Sequence, residues 1–477
     1  MSARYLTTTL PYVNADPHLG HALEFVEADV LARTLRARGV EVFLNIGTDE
    51  HGAKIERKAE EEGKSPQAYV DEYAARFKTF ADQLDISYDS FVRTTDPLHV
   101  AAAQMFWKKC VEADDIYKAI YEVKYCVGCE LPKTDSELVD GRCPLHPNVD
   151  IEIREEENYY FRFSKYQDVL LAQYAAQQDF VIPEERMHEL KSFVAAGLKD
   201  FSISRRREKL AWGVPVPDDS EHVMYVWFDA LVNYVSAIGW PQDNQRFLKW
   251  WPVTQLAGKD NLRQQAAMWQ AMLLSAGLPF SRNIFIHGFI TSGGQKMSKS
   301  LGNVINPLDL VKIYGVDALR YVLMRHASHR EDSDLTLEVI HEHYTAHLTN
   351  GLGNLVARVM TLAETHLSQP VVLEDGDEKI EQSFFDSIET FHFNEAMDFV
   401  FAEVSVADVF MTERMPYKKI KSDVASEQVS ARHDIEYLVR QLASIAAHLA
   451  PAMPHTASAI IEAVRSNKKP INLFPRL

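Results

Sequence analysis

The sequence predicts an α/β fold: a Rossmann-type parallel sheet, a connective insertion rich in metal-ligand residue types, then an all-α helical bundle. Three observations carry that prediction. Strand, helix and strand patterns follow one another within the first fifty residues, three of the four cysteines crowd into residues 126–143, and beyond Asp334 the chain reads as almost wholly helical. A strand–helix–strand start implies a parallel sheet that binds ligands at the carboxyl ends of its strands.

Taken in order, residues 4–12 (RYLTTTLPY) alternate enough for a strand, and Asp16 and Pro17 then supply an N-cap and a proline at the first helical position. From His18 to Arg38 the apolar residues Leu19, Ala22, Leu23, Val26, Val30, Leu31 and Leu35 recur at helical spacing, and Gly39 closes the run. Residues 41–47 (EVFLNIG) read as a second, buried strand. From Ile116 to Asp150 the pattern breaks into short irregular pieces around a Cys/His cluster, which marks an insertion. Strand patterns resume at 222–228, 253–257 and 283–290, and helical stretches cover 336–366, 380–415 and 427–465. The expected division is therefore 1–115 and 201–290 for the two halves of the sheet domain, 116–200 for the insertion, 291–340 for a linking region and 341–477 for the helical domain.

Composition narrows the function classes. With 46% hydrophobic and 25% charged residues over 477 positions, the chain is globular, with room for several domain cores. The longest uncharged stretches fall well short of the roughly 18 apolar residues of a membrane span, so no membrane partner is expected. MSARYLTTTL lacks the apolar core of a secretory signal, so a cytoplasmic protein is expected. Fifty basic against 68 acidic residues, a net charge of −18, argue against general binding to phosphate backbones but leave room for a local RNA site.

Several motifs carry chemistry. Pro17-His18-Leu19-Gly20-His21 stands at the mouth of the first helix, whose unpaired N–H groups and positive dipole end suit phosphates. His18 and His21 could hold a nucleotide there, with Gly20 permitting close approach, although spacing alone also fits two solvated caps. Lys296-Met297-Ser298-Lys299-Ser300 follows a Gly-rich turn after the 283–290 strand, and two lysines on such a loop can neutralise charge developing on a leaving pyrophosphate. A P-loop is excluded, because Gly294 stands where that motif needs Lys. Cys126-x2-Cys129 and, thirteen residues on, Cys143-x2-His146 make a closed tetrahedral set for one structural Zn²⁺. Cys110, in a helical pattern, reads as inert core. His343 and His347 share a helix face, but Thr345 stands where an H-E-x-x-H begun at His341 needs its second histidine, so both read as structural.

PHLGH and KMSKS, about 280 residues apart, are together far more specific than either alone. With TLPYVNADPHLGHA, IGTDEHG, FSISR, AWGVPVP, YVWFDALVNY, GKD and GQKMSKSLGNV in order over nearly the whole chain, the sequence resembles the class I aminoacyl-tRNA synthetases, and within them the methionyl family. The resemblance implies joining of methionine to AMP with release of pyrophosphate, then transfer to the terminal ribose of tRNA(Met), with Mg²⁺ accompanying ATP. It implies that His18, Gly20 and His21 bind ATP, that Lys296 and Lys299 meet the triphosphate in the transition state, and that Arg205 links carboxylate and phosphate chemistry. Asp49 would take the methionine ammonium; Leu10, Tyr12, Trp227 and Tyr234 would wall the thioether pocket, with Asp260 and Gln265 also facing substrate.

In the helical domain the resemblance implies an anticodon face, with Asn350, Asn354 and Arg358 at i, i+4 and i+8 and Pro416-Tyr417 where the family usually has Pro-Trp. Lys418, Lys419 and Lys421 form a local basic patch beside it, or simply a solvated helix face. Asn261 and Gln265 stand where the family usually carries an apolar residue and a histidine. That departure keeps a rival open: a class I enzyme for another apolar amino acid, or a paralogue acylating something other than tRNA. A monomer is expected.

Overall fold

The computed structural model describes residues 3–126, 131–133, 138, 141–144, 148, 150–296, 305–374 and 376–477. The first half builds β1 (Arg4–Thr7), α1 (Leu19–Ala37), β2 (Val42–Thr48), β3 (Ser90–Arg93), β4 (Ile116–Cys126), β5 (Leu131–Lys133), β6 (Glu152–Phe161) and β7 (Val181–Ile182). Then come β8 (Phe201–Ser202), β9 (Ser204–Arg206), β10 (His222–Met224), β11 (Val253–Gly258), β12 (Asn283–His287), β13 (Ile290–Ser292), β14 (Gln295–Lys296) and β15 (Ser333–Asp334). Six of these form one parallel sheet in the order β3-β2-β1-β11-β12-β7. All seven residues of β2 are buried, as a central strand covered on both faces requires. Strand order reverses between β1 and β11, and a crevice opens at such a reversal, outside the carboxyl ends of the strands.

α1 starts two residues later than the sequence suggested. His18, in extended backbone, is its N-cap: the His18 Nδ1 accepts from the Gly20 N–H at 3.1 Å, and the His21 Nδ1 accepts from the His18 N–H at 3.2 Å. This reciprocal imidazole pair satisfies first-turn N–H groups and displaces Asp16 from the capping position. Gly39 follows the helix with a positive φ of 76°, as expected of its closing residue.

The insertion is more regular than its sequence. β4 and β6 form one long antiparallel ribbon, flanked by β5 and β8, in place of short irregular pieces. Both sides of the ribbon meet water in part, leaving Ile120 and Ile153 exposed, so no clean apolar alternation marks the strands. The interval 116–200 also contains β7, which pairs with β12 in the main sheet; a two-residue strand leaves no periodic signal. The strand expected at 222–228 stops at Met224, and Val226–Ala230 is helical, with the Phe228 and Asp229 N–H groups donating to the Tyr225 carbonyl. The strand expected at 283–290 breaks at Gly288, where a Cβ would come within 2.0 Å of the Glu331 carbonyl oxygen. β13 and β14 then turn through Gly293 and Gly294, whose φ values of 65° and 70° suit a two-residue hairpin.

Beyond β15, Leu337–His343 continues through wider, π-type turns at Tyr344–Gly353 into the helix Asn354–His366. The expected 380–415 helix is two, split at Phe391 with its φ of 61°, and the 427–465 stretch is split before Pro454. One apolar core runs from Leu23, Val26, Leu44 and Leu256 without interruption to Leu348, Leu438 and Ile460; a second, around Tyr5, Phe106 and Trp269, contains the insertion's Phe161 and Phe163.

A buried cation ties the two regions together. Arg320 has no exposed surface; its Nη2 donates to Asp29 Oδ2 at 2.6 Å and the Pro451 carbonyl at 2.9 Å, its Nε to the Ala452 carbonyl at 2.7 Å, and its Nη1 to the Leu84 carbonyl at 3.0 Å. Burial pushes Asp29 up, but Arg320 and Arg33 outweigh it and hold the carboxyl below its usual range. Arg320→Met leaves three carbonyls and part of a carboxylate without their donor, so it is expected to cost about 3–5 kcal/mol, read as a lower urea midpoint.

Candidate active site

A cavity of about 1170 Å³ opens at the carboxyl ends of β1, β2, β11 and β12. Leu10, Tyr12, His18, Gly20, His21, Asp49, Arg205, Trp227, Tyr234, Asp260 and Gln265 all line it, so the structure gathers residues that the sequence spreads over more than 250 positions.

The capped end of α1 forms one wall. The His18 and His21 rings stack with centroids 3.7 Å apart, and the edge of His21 meets Phe77 at 5.3 Å. Desolvation, then His18, pushes His21 well below 6.5, so its imidazole is neutral and free to accept the capping bond.

A buried carboxylate forms another part of the lining. Asp49 follows β2, is only 7% exposed, and its Oδ1 has no hydrogen-bond partner. Burial, then the nearby charges of Asp229 and Glu50, push Asp49 well above the usual carboxylate range. Asp229 is placed differently: its Oδ2 meets His51 Nδ1 at 2.6 Å and its Oδ1 meets His99 Nε2 at 2.9 Å. Burial alone would raise Asp229, yet these two histidines bring it down to about 2. Gly52 lets the wall close, since at its φ of 115° a Cβ would lie 2.7 Å from the Tyr12 hydroxyl.

Polar side chains lock the remaining wall. Gln255 Nε2 donates to Gln265 Oε1 at 2.8 Å, and Gln265 Nε2 donates to the Tyr234 hydroxyl at 2.8 Å. Asn261 Nδ2 donates to Asp260 Oδ1 at 3.3 Å. Arg205 Nη1 donates to the Ser202 hydroxyl at 2.8 Å and the Ser204 carbonyl at 2.7 Å, and its guanidinium lies 4.4 Å from the centre of the Tyr225 ring. Trp227 is half-exposed at the mouth.

Sequence reasoning missed Glu24, His287, Lys54 and Lys209, which also line the cavity. Glu24 Oε1 accepts from the Thr9 N–H and hydroxyl, both at 2.6 Å, and its Oε2 meets His287 Nε2 at 3.0 Å. The other His287 nitrogen donates to the Gly288 carbonyl at 2.7 Å. Burial opposes its charge, but Glu27 and Glu24 raise His287 to about 9. Only the histidine's place at a strand's carboxyl end could have flagged it.

Other expected sites are placed only in part. Lys296 ends β14, just beyond the cavity-lining Gly288-Phe289-Ile290, but its side chain and the whole of Lys299 lie outside the described residues. Cys126 ends β4 and Cys143 is buried; the Cys126 side chain, Cys129 and His146 lie outside the described residues. Cys110 is fully buried, and burial pushes its thiol up to about 12, as befits an inert core cysteine. Asn350 and Asn354 are exposed, Arg358 Nη1 pairs with Asp408 Oδ1 at 2.7 Å, Pro416 is buried, and Tyr417 packs half-buried on the core. Asn350 lies in the wide-turn segment, so only Asn354 and Arg358 keep regular i, i+4 register.

The sheet reversal, the histidine-capped helix and the lysine hairpin after β12 define an α/β enzyme of the class I synthetase type. A family model for tRNA synthetases class I (M) matches residues 4–150 and 137–360, and the chain belongs to that family. It is 42% identical to the methionine–tRNA ligase of Thermosynechococcus vestitus over 95% of this chain and 88% of that one. It is 45% identical to that of Mesorhizobium japonicum over 75% and 70%. The solved Mycobacterium tuberculosis methionyl-tRNA synthetase in complex with methionyl-adenylate superposes over 100% of both chains with a TM-score of 0.90 at 33% identity.

The lone carboxylate has a measurable cost. Because Asp49 binds its proton more tightly in the fold than in the unfolded chain, its contribution is most favourable at acid pH, below the unfolded value, and is lost as pH rises toward the folded value. Asp49→Asn removes this charge. The variant is expected to melt higher than the parent at pH 8, with a margin that shrinks by pH 5, in thermal scans at the two pH values.

Proposed function

We propose that the cavity joins L-methionine to AMP with release of pyrophosphate, and that the enzyme then transfers the methionyl group to the terminal ribose of tRNA(Met). The observation that carries this reading is the unpartnered Asp49 oxygen, buried in the same cavity as the capped N-terminus of α1. An ammonium is the ligand such a carboxylate lacks, and a phosphate is the ligand such a helix end attracts. The relatives from T. vestitus and M. japonicum, both named methionine–tRNA ligase, support the substrate, as does the methionyl-adenylate in the M. tuberculosis complex.

In this reading the methionine ammonium sits on Asp49, and its thioether lies among Leu10, Tyr12, Trp227 and Tyr234, with Gln265 holding Tyr234 in place. Asp260 faces the substrate from the short 3-10 turn Lys259–Asn261 that follows β11. His18, Gly20 and His21 hold ATP, which brings Mg²⁺ with it. The methionine carboxylate oxygen bonds to the α-phosphorus as the bond to pyrophosphate breaks. Arg205 spans the joined groups, and Lys296 and Lys299 neutralise the departing charge. A tRNA ribose hydroxyl then takes the acyl carbon and AMP leaves. The protein supplies position and charge, with no nucleophile of its own.

Cys126, Cys129, Cys143 and His146, three thiolates and an imidazole by residue type at zinc-ligand spacing, suit one structural Zn²⁺ that holds the insertion. Asn350, Asn354, Arg358, Pro416 and Tyr417 form the anticodon face. We place the enzyme in the cytoplasm as a monomer; among the described residues no helix is long and apolar enough to cross a membrane.

Two measurements test this assignment. Lys299→Ala is expected to slow methionyl-adenylate formation more than about tenfold with little change in methionine affinity, because the charge it meets develops mainly in the transition state. Weaker binding with a normal forward rate would contradict that role. Tyr417→Ala is expected to lose roughly 1–3 kcal/mol of base stacking, about a tenfold to hundredfold drop in kcat/KM for tRNA, with adenylate formation untouched. Tyr417→Trp should keep or improve tRNA use, and equal tRNA kinetics for all three proteins would make Tyr417 a packing residue.

A further inference from the structure

Three histidines with no part in this chemistry meet where the helix Val316–His326 touches the segment 337–353. His326 ends the first helix, His343 ends Leu337–His343, and His347 lies one turn further on. One nitrogen from each ring lies within 4.8 Å of those from the other two. The His326 and His343 rings stack at 3.5 Å with planes 7° apart, and His347 lies 5.4 Å from each.

A single hydroxyl orients two of the rings. Tyr321 Oη meets His326 Nε2 at 2.9 Å and His347 Nδ1 at 2.7 Å, which leaves His326 Nδ1 and His347 Nε2 to take another partner. Arg325 stands beside the cluster, but its charge is already engaged: Nε donates to Asp398 Oδ1 at 2.8 Å, Nη1 donates to Tyr321 Oη at 3.1 Å, and the guanidinium covers Phe401 at 4.3 Å. Glu342 adds a negative charge next to His343. Three half-buried imidazoles in contact favour their neutral forms, and desolvation, His343 and Arg325 together bring His326 down to about 3.

We propose that His326, His343 and His347 form a three-imidazole site for a borderline divalent cation of the Zn²⁺ class, separate from the cysteine cluster and with a fourth position for water. Imidazole sets suit Zn²⁺, Ni²⁺ and Cu²⁺, and an outer hydroxyl that fixes the rings is the usual support of such sites. Bonds of about 2.0–2.1 Å in a tetrahedral site put nitrogens roughly 3.3 Å apart, so binding requires the His326 and His343 rings to turn out of their parallel stack and the three nitrogens, now within 4.8 Å, to draw together. The ion would fasten the end of the 316–326 helix to the start of the helical region. The same helix leads to β15, which pairs with β13 of the lysine hairpin, so the clasp would bear on the segment that anchors that hairpin.

Cobalt(II) is the probe, titrated into the full chain already carrying one equivalent of zinc to fill the cysteine cluster. A further equivalent is expected, with the visible bands of a nitrogen–oxygen site and no sulfur-to-cobalt charge transfer, together with a higher Tm. His343→Gln and His347→Gln, each checked for folding by circular dichroism, should weaken this binding more than about tenfold, and Tyr321→Phe about tenfold. Absence of a sulfur-free cobalt spectrum in the unaltered chain, a measurement that needs no variant, would overturn the proposal. So would equal affinity in the His343→Gln and His347→Gln variants, which would leave the three rings as a packed stack.

Discussion

The Asp29–Arg320 contact fixes α1, and through α1 the cavity wall formed by His18, Gly20, His21 and Glu24. Asp29, like Glu24 and Glu27, is an acidic residue buried on a helix that faces the core. Each has its own counterpart from a distant segment: Glu24 meets His287, Glu27 Oε1 meets His329 Nδ1 at 2.6 Å, and Asp29 meets Arg320. Buried pairs of this kind add little net stability over apolar packing, but breaking one is expensive, so they serve chiefly to hold one arrangement. Here they set the rotation and the height of α1, and with them the position of the His18/His21 cap at its end.

Asp49 is the exception that gives the arrangement a purpose. The other buried carboxylates of the site face histidines or arginine, whereas Asp49 looks into the cavity beside a second negative charge, Asp229, that His51 and His99 already satisfy. The fold thus carries an electrostatic cost at Asp49 that uptake of a proton or of a positively charged ligand removes. A destabilised group at the point of binding is a familiar trade between stability and activity.

Much of this was legible from the sequence. Apolar periodicity located α1, β2 and β11 to within a residue or two, and the motifs named eleven residues that line one cavity. What escaped has common physical causes. The α1 cap moved because a histidine pair, outside the usual Ser/Thr/Asp/Asn set, does the capping. The β4–β6 ribbon was hidden because both its faces meet water, and β7 because two residues hold no period. Glu24 and His287 find each other across 263 positions, and His326 reaches the His343/His347 pair from a different helix, so the local spacing of that pair gave no sign of the third ring.

The central claim, that this cavity selects methionine for activation by ATP, is most directly tested by ATP–pyrophosphate exchange with each of the twenty amino acids. The account predicts exchange with methionine that exceeds every other amino acid by at least about tenfold in kcat/KM, the scale on which an apolar pocket discriminates between close neighbours. Faster exchange with another apolar amino acid, favoured by Asn261 and Gln265 in the pocket wall, or no exchange with any of the twenty, would contradict it.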